Sequence, residues 1–292
     1  MKRRIAHISD LHFGKLSFGL TQLFSKRWIG MMNLLLSRRK HYLNSRPTTL
    51  FDAFEAHGIT DVILAGDLTT TSFVKEYDMA KRFVDTLSEM NIKTYVIPGN
   101  HDHYTRRSFR QKLFYNYFPD KYDENCPFSL RKDGITFFHF EQDWYIVLMD
   151  TAIATSFYHS IGYYSKLVED NLKKALTSLP DSARVILVNH FPFFQHESPR
   201  RRLKRGGELQ SLIRREPKIH MYLHGHTHRH TLADLRENGL PLVMDSGSAS
   251  HKSHGTWNLL ELSAHQCMVQ VYSYDKNANH EWKATHQKLY TW

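Results

Sequence analysis

The sequence predicts an α/β fold, and three observations support this prediction. Short apolar runs alternate with helix-like stretches over the first two thirds of the chain, whereas the region after residue 219 is almost all of strand type. Polar motifs follow several of the apolar runs directly. In open α/β sheets the loops at the carboxyl ends of the strands form one crevice, so residues far apart in sequence can meet there.

The elements follow one another along the chain as strand and helix, then mainly as strand. Helices are predicted near residues 48–57, 72–90, 104–118, 163–179 and 206–215. Strands are predicted near residues 4–9, 61–65, 93–97, 135–140, 144–149, 184–189, 219–223, 241–245, 256–262 and 267–274. The polar tail from Asp275 onwards supports no prediction.

Five short motifs that carry metal-ligand side chains each follow a predicted strand. In chain order they are Asp10-Leu11-His12, Gly66-Asp67, Gly99-Asn100-His101-Asp102, Asn189-His190 and Gly225-His226-Thr227-His228. With His101 set aside, they supply two Asp, one Asn and four His, which is enough for two cations of about four ligands each if one carboxylate is shared. Oxygen donors mixed with imidazole suit divalent Mn, Fe, Co or Zn better than Ca or Mg alone.

Each motif taken alone also has a purely structural interpretation. Asp10 suits a turn after a strand, and Asp67 suits a helix cap. Gly99-Asn100 suits an ordinary turn, and His190 suits a hydrogen-bonded core position. The five motifs in this order nevertheless favour one dinuclear metal site.

The ordered motifs resemble the signature of the calcineurin-like metallophosphoesterase superfamily, which runs D-x-H, G-D, G-N-H-[DE], a lone H and G-H-x-H. The resemblance extends from about Arg4 to Gly247. It implies a four-layer α/β/β/α sandwich, in which two mixed sheets pack face to face with helices outside. We therefore expect residues 1–292 to form a single metallophosphoesterase domain.

The resemblance also implies a role for each motif residue. One cation would be held by Asp10, His12, Asp67 and His228, and the other by Asp67, Asn100, His190 and His226. Asp67 would thus bridge the two cations, for which manganese is the first choice and iron or zinc are alternatives. Such a pair clamps a phosphoryl group and lowers the pKa of a bridging water, so that hydroxide attacks in line.

Two further residues of the third motif are predicted to act in catalysis. In the superfamily the histidine at the position of His101 faces the substrate, where it donates a proton to the leaving oxygen or stabilises its charge. Asp102 either orients His101 or caps the helix predicted to begin near Tyr104. His224 and His230 flank the last motif but do not match the family pattern, so we expect them to be structural or solvated.

The composition fits a protein of the cytoplasm. The two cysteines, Cys126 and Cys267, are far apart and show no metal-binding spacing, so a disulfide framework is not expected. Neither a secretory signal nor a run of the ~20 apolar residues that span a bilayer is present. The formal charge of +10 and the pI near 9.5 suit any polyanionic partner.

Two basic segments leave alternatives open. Residues 14–44 form a long insert with an amphipathic pattern. The pattern predicts a helix packed on the enzyme's own core, a lid over the substrate, or a surface for an acyl chain or for the inner face of the membrane. The basic cluster Arg200–Arg205 either borders the site and attracts an anionic substrate, or is a solvated run of charge.

The substrate is predicted to be a small anionic phosphodiester. Gly66-Asp67-Leu68-Thr69 followed by Glu76-Tyr77 resembles the bacterial cyclic-nucleotide phosphodiesterase branch. Thr70 stands where purple acid phosphatases carry tyrosine, which argues against a ferric centre of that type. A lipid-linked UDP-sugar pyrophosphate is the alternative substrate. A nuclease is disfavoured because no nucleic-acid module is recognisable, and a non-catalytic scaffold because every motif residue is present.

Overall fold

The structure, a computed structural model, describes residues 3–15, 42–121, 123–156, 159–194, 198–275 and 281–292. The described strands are β1 (Arg4–Ile8), β2 (Asp61–Ala65), β3 (Lys93–Ile97), β4 (Ile135–Glu141), β5 (Trp144–Met149), β6 (Gly162–Tyr163), β7 (Arg184–Val188), β8 (Leu203–Lys204), β9 (Ile219–His224), β10 (Thr231–Asp234), β11 (Leu242–Asp245), β12 (Thr256–Leu262), β13 (Gln266–Asp275) and β14 (Glu281–Thr291). The described α-helices are α1 (Thr49–Ala56), α2 (Val74–Glu89), α3 (Arg106–Arg110), α4 (Leu113–Tyr117), α5 (Leu130–Asp133), α6 (Lys166–Ser178) and α7 (Gly206–Arg215).

Two six-stranded mixed sheets form the centre of the fold. The first has the strand order β14-β13-β12-β1-β2-β3, in which β1, β2 and β3 are parallel. The second has the order β10-β11-β9-β7-β5-β4, in which β5, β7, β9 and β11 are parallel. A small two-stranded sheet joins β6 to β8. Neighbouring parallel strands bring their carboxyl ends to the same edge of each sheet.

The strands of the second sheet bury side chains on both faces. In β5, Ile146 and Leu148 belong to a core shared with the first sheet, whereas Val147 lies in a second core that includes Leu172 and Leu176 of α6. Successive residues of a strand point to opposite faces, so β5 has one sheet on one side and helices on the other. This arrangement confirms the predicted α/β/β/α layers.

Helix α2 covers the outer face of the first sheet with one apolar stripe. Its buried residues include Tyr77, Ala80, Phe83, Val84 and Leu87. These positions recur at spacings of three and four residues, which places them on one side of an α-helix. All five belong to the core that also contains the first sheet.

Two local predictions differ from the structure. The helix predicted over residues 104–118 is broken into α3 and α4, because Lys112 adopts a left-handed backbone conformation with φ of 49°. The tail, for which no element was predicted, forms strand β14 from Glu281 and pairs with β13. Within the described residues, no helix is both long enough and apolar enough to cross a membrane.

Candidate metal centre

The candidate site lies where the carboxyl ends of strands from both sheets come together. Asp10 follows β1, Asp67 follows β2, and Asn100 follows β3 in the first sheet. His190 follows β7 and His226 follows β9 in the second sheet. Each predicted ligand thus occupies a loop held by a buried strand, which fixes its position better than a long surface loop would.

The first cluster consists of Asp10, His12, Asp67 and His228, whose ligand atoms lie within 4.8 Å of one another. The Nε2 atom of His228 is 3.0 Å from Oδ1 of Asp10 and 3.0 Å from Nε2 of His12. The Nε2 atom of His12 is 3.9 Å from Oδ2 of Asp67. These separations are those of donor atoms that share one cation at about 2.0–2.2 Å.

The second cluster consists of Asp67, His190 and His226, again with ligand atoms within 4.8 Å of one another. The Nε2 atom of His190 lies 3.4 Å from Oδ2 of Asp67. Asp67 is therefore common to both clusters. Asn100 lies next to them, because the main-chain N–H of the following residue, His101, donates to Oδ1 of Asp67 at 2.7 Å.

Several of the predicted ligands carry polar atoms whose hydrogen-bonding capacity the protein does not use. Oδ1 of Asn100 and Nε2 of His190 are buried, and neither forms a hydrogen bond with the described residues. A buried polar atom without a partner is unfavourable, so such atoms call for an explanation. A divalent cation bound by oxygen and imidazole donors satisfies both, and the residues present fit two such cations.

Hydrogen bonds to the far nitrogens orient the imidazole rings. Nδ1 of His190 donates to the carbonyl of Ala65 at 2.8 Å, which leaves Nε2 to face Asp67. In His226 the bond is reversed, because Nε2 donates to the carbonyl of Arg201 at 2.8 Å and leaves Nδ1 for a cation. Partners of this kind fix the tautomer and ring orientation of metal-binding histidines.

Tyr42, a residue that no sequence motif predicted, orients the imidazole of His228. Its hydroxyl lies 2.5 Å from Nδ1 of His228, so Nε2 faces Asp10. The Tyr42 ring also packs edge-on against His12, with centroids 5.0 Å apart. Tyr42 belongs to no motif and lies near the end of the insert predicted at 14–44, so no sequence pattern distinguishes it.

Five of the candidate ligands adopt a left-handed backbone conformation. They are Asp10 (φ 55°), His12 (φ 47°), Asp67 (φ 55°), His226 (φ 74°) and His228 (φ 57°). Positive φ is uncommon outside glycine, although Asn, Asp and His tolerate it better than other residues. Strained backbone of this kind clusters at functional sites, where the surrounding structure must hold it in place.

The motif glycines are required because ligand side chains approach them closely. A Cβ atom on Gly99 would lie 2.2 Å from Oδ1 of Asp67, and one on Gly225 would lie 2.5 Å from Oδ2 of Asp10. On Gly66, which has φ of +91°, it would lie 2.6 Å from Nδ1 of His190. These glycines therefore make room for the candidate ligands.

Opposite charges at close range shift the pKa values of the clustered groups. Burial alone would raise the pKa of Asp67, but the charges of His190 and His101 outweigh it and hold that pKa below its ordinary value. Burial alone would lower the pKa of His190, but the charge of Asp67 outweighs it and raises that pKa to about 10. Burial, followed by the charge of His190, lowers the pKa of His226 to about 3, so His226 is neutral, the form in which imidazole binds a cation.

The His101 ring lies beside the first donor cluster and is held by the protein. Its Nδ1 donates to the carbonyl of Thr70 at 2.6 Å, which fixes the tautomer and the orientation of the ring. The ring lies edge-on to His12 at a centroid distance of 5.0 Å and is stacked on Tyr104 at 5.4 Å. Both contacts restrict the orientation of the imidazole.

Asp102 binds the loop that carries Asp67. Its carboxylate accepts hydrogen bonds from the main-chain N–H groups of Leu68 (3.1 Å), Thr69 (2.8 Å) and Gly99 (2.9 Å), and from the Thr69 hydroxyl (2.9 Å). Burial and the charge of Asp67 raise the pKa of Asp102 to about 6.

One of the two roles predicted for Asp102 is wrong, and the other stays a prediction. The next helix, α3, is capped by Thr105, so a cap at Asp102 was a wrong prediction. The hydrogen bonds of its carboxylate hold the chain around Asp67 and Gly99, and the carbonyl of Thr70 accepts a hydrogen bond from the His101 ring. A direct role in catalysis stays a prediction.

The flanking histidines are held by protein groups. Nε2 of His230 lies 2.8 Å from Oδ1 of Asn258, and Nδ1 of His224 lies 2.9 Å from the carbonyl of Gly225 and 3.4 Å from Oδ2 of Asp245. Neither belongs to a donor cluster among the described residues. Both contacts agree with the structural role expected for these two histidines.

The described residues include the two ends of the basic insert and the whole of the cluster Arg200–Arg205. Residues 16–41, most of the insert predicted at 14–44, lie outside the described residues. The ends of the insert are joined by two hydrogen bonds between Gly14 and Asn44, of 2.9 and 2.8 Å. In the basic cluster, the Arg201 carbonyl holds His226, and the Arg205 guanidinium forms an ion pair with Glu169 at 2.6 Å.

Comparison with known proteins identifies similar chains and folds. The model of the family described as calcineurin-like phosphoesterase matches residues 3–230. A 3′,5′-cyclic-nucleotide phosphodiesterase of Nostoc sp. (strain PCC 7120) is 26% identical over 171 residues, which are 58% of this chain and 55% of that protein. The chain thus spans about half the length of this curated relative.

Two solved structures share the fold at low sequence identity. A dimetal phosphatase from Danio rerio superposes with a TM-score of 0.62 at 14% identity, covering 99% of this chain and 98% of the other. A purple acid phosphatase from yellow lupin superposes with a TM-score of 0.65 at 10% identity, covering 100% of this chain and 54% of the other. Both agree with the two-sheet architecture described above.

Proposed function

Because this chain belongs to the calcineurin-like phosphoesterase family, we propose that it hydrolyses a small anionic phosphodiester. The family membership makes the protein a metal-dependent phosphoesterase. The preference for a diester over a monoester is our proposal. It is supported by the similarity to a cyclic-nucleotide phosphodiesterase and by the residues that follow Asp67.

The observation that carries the proposal is the shared carboxylate of Asp67. Asp67 belongs to both donor clusters, one with Asp10, His12 and His228 and the other with His190 and His226. Two cations bridged by one carboxylate lie close enough to contact the same phosphoryl group. We propose that Asn100 completes the second set, since its buried Oδ1 makes no hydrogen bond with the described residues.

The side chains of the protein would position the cations and move one proton. When bound, two divalent cations supply Lewis acidity that neutralises phosphoryl charge and lowers the pKa of water. The main-chain N–H groups of His226 and His101 hold one oxygen each of Asp10 and Asp67, at 3.0 and 2.7 Å, so these carboxylates are fixed before substrate arrives. We propose that Nε2 of His101 donates a proton to the leaving oxygen.

We propose manganese as the first choice of metal, with iron or zinc as alternatives. The donor set mixes carboxylate, amide and imidazole, which suits divalent first-row metals as a group. Thiolate does not contribute, because neither cysteine belongs to a donor cluster of the described residues. Reconstitution of metal-depleted protein with Mn²⁺, Fe²⁺ or Zn²⁺ would rank the three by the activity each restores.

The test compares a diester with a monoester of the same leaving group. We expect Mn²⁺-loaded protein to hydrolyse bis(p-nitrophenyl) phosphate faster than p-nitrophenyl phosphate, and the Asp67→Ala variant to hydrolyse neither. Cyclic nucleotides would then be the first natural substrates to measure. Faster hydrolysis of the monoester would contradict the phosphodiesterase proposal and indicate a phosphatase. Hydrolysis of neither compound would favour a lipid-linked pyrophosphate as the substrate, or a non-catalytic scaffold.

A further inference from the structure

A cavity lies beside the metal centre, and we propose that it binds a small organic phosphate that carries a ring, such as a nucleoside monophosphate. The cavity has a volume of about 420 Å³, within the usual range for small-molecule sites. It is lined by the loop after β3, helices α3 to α5, the loop after β5 and the start of α6. None of the candidate metal ligands lines it.

The charge of the cavity favours an anion. Its lining includes four side chains that are positively charged at neutral pH, Arg110, Lys112, Arg131 and Lys132, and one carboxylate, Asp150. The carboxylate is already engaged, because its oxygens accept hydrogen bonds from the Tyr115 hydroxyl and from the main-chain N–H of Ala152. Concave surfaces lined by one sign of charge raise the local concentration of oppositely charged ligands.

The same cavity collects exposed apolar side chains. Five large hydrophobic residues of the described chain are exposed, and three of them line this cavity: Phe109 (39% exposed), Tyr163 (40%) and Leu167 (56%). Apolar groups that are gathered together at a surface indicate an interaction site more often than scattered ones do. Two of the three are aromatic, so they offer faces on which a ring of the ligand can stack.

The cavity wall contains a buried imidazole that the protein leaves unsatisfied. His103 is only 1% exposed, and neither of its ring nitrogens forms a hydrogen bond with the described residues. Oδ2 of Asp150 is 3.7 Å from Nε2, and Phe109 packs edge-on against the ring at 5.1 Å. Since buried polar groups normally have partners, a ligand oxygen that accepts from His103 explains the arrangement.

The cavity adjoins the metal centre but is separate from it. His103 is two residues after His101, and the Thr151 hydroxyl in the lining donates to Oδ1 of Asn189 at 2.7 Å, next to His190. Two residues of extended chain span at most about 7 Å, so the Cα atoms of His101 and His103 are no farther apart than that. Because no candidate metal ligand lines the cavity, a ligand could bind there without metal and without turnover. The proposed binding is thus independent of the proposed phosphodiesterase activity.

A small ligand fits these observations better than a lipid surface does. Cations next to exposed apolar side chains also occur on proteins that bind anionic bilayers. A bilayer, however, contacts protruding groups, whereas His103 is buried in the wall of a concave site. Binding to vesicles is therefore an outcome that the experiment must be able to detect.

The experiment measures binding of adenosine 5′-monophosphate by calorimetry to the Mn²⁺-loaded protein and to Asp67→Ala. The double variant Arg131→Glu/Lys132→Glu reverses charge at the rim, and Arg82→Glu/Lys288→Glu makes the same charge change away from the cavity. We expect the rim variant to weaken binding to Asp67→Ala protein at least tenfold, and the control pair to leave it within twofold. Adenosine, which lacks the phosphate, should bind at least tenfold more weakly.

Phe109→Ala provides a second measurement should the rim variant fold poorly, because this side chain is exposed. It should weaken binding of the nucleotide but leave binding of inorganic phosphate unchanged. Equal affinity of the rim and control variants would overturn the proposal, as would loss of binding in Asp67→Ala alone. Binding of phosphatidylglycerol vesicles without binding of the nucleotide would also overturn it.

Discussion

At the scale of single residues, the side chains that the protein leaves unsatisfied indicate the chemistry. Oδ1 of Asn100 and Nε2 of His190 are buried without hydrogen bonds to the described residues. Nδ1 of His190 and both oxygens of Asp102, by contrast, are bonded to main-chain groups. The unsatisfied atoms therefore mark the positions at which a cation would bind.

His101 should separate metal binding from catalysis. We expect His101→Ala to keep its metal content and to lose about 10²–10⁴ in kcat, the usual contribution of a general acid. The loss should shrink for substrates with good leaving groups, which need less protonation. Steady-state rates on a leaving-group series test this, with His286→Ala, an exposed histidine on β14, as the matched control.

A constant loss across the whole leaving-group series would contradict proton donation by His101. It would instead place the imidazole in ground-state binding of the phosphoryl group, which does not depend on the leaving group. A loss of metal content in His101→Ala would show a structural role through Asp67.

Tyr42 should affect affinity for metal rather than proton transfer. Tyr42→Phe keeps the ring that packs against His12 but removes the hydroxyl that lies 2.5 Å from Nδ1 of His228. Changes in such outer partners typically cost 10–100-fold in metal affinity. We expect Tyr42→Phe to lose metal affinity by this factor at one of the two cation sites, as measured by chelator competition. Unchanged metal affinity would show that Tyr42 does not orient His228.

At the scale of elements, the loops at the strand ends determine the geometry of the centre. Left-handed backbone at Asp10, Asp67 and His226 turns each side chain toward the crevice directly after its strand. Such conformations are unfavourable for most residues and persist only when neighbouring contacts hold them. The carboxylate of Asp102 supplies several of these contacts to the loop after β2.

Gly99 should be intolerant of even one added methyl group. The new Cβ would lie 2.2 Å from Oδ1 of Asp67, so Gly99→Ala must displace the carboxylate common to both clusters. We expect metal content to fall below one cation per chain and activity to be lost. Gly207→Ala in α7 is the control, because nothing lies within 4 Å of its Cβ, and a Gly99→Ala protein with full metal content would refute this geometry.

Asp102 should contribute to folding more than an ordinary surface carboxylate. Asp102→Ala would leave three main-chain N–H groups without their acceptor, whereas the Thr69 hydroxyl keeps the carbonyl of His101 as an acceptor. We expect the free energy of unfolding to fall by about 3 kcal/mol, since each unsatisfied buried donor costs about 1–3 kcal/mol. Chemical denaturation measures the change, with the fully exposed Asp181→Ala as reference, and equal stability of both variants would contradict a role in holding the loop.

At the scale of the whole molecule, local sequence patterns predicted the sheets and the motifs. Contacts between residues far apart in sequence were not predicted. The calcineurin-like fold and the order of the ligand-bearing loops were readable because each motif follows an apolar strand. Six of the seven predicted metal ligands lie in the two donor clusters. The seventh, Asn100, lies next to these clusters, because the main-chain N–H of the following residue, His101, donates to Oδ1 of Asp67.

The features that were missed depend on tertiary structure. Tyr42 meets His228 across 186 residues of sequence, so no local pattern links the two. Strand β14 is mostly exposed and is defined by its pairing with β13 rather than by an apolar run. The helix predicted over 104–118 breaks at Lys112, a residue whose type gives no signal for a left-handed turn.

The central claim is that Asp67 joins two cation sites into one catalytic centre. The measurement that tests it most directly is metal content per chain, determined by mass spectrometry after saturation with Mn²⁺ and removal of free metal, for wild type and Asp67→Ala. We predict two cations for the wild type, and at most one for the variant together with loss of turnover. Two cations and full activity in Asp67→Ala, or a fully active wild type with one cation, would contradict the account.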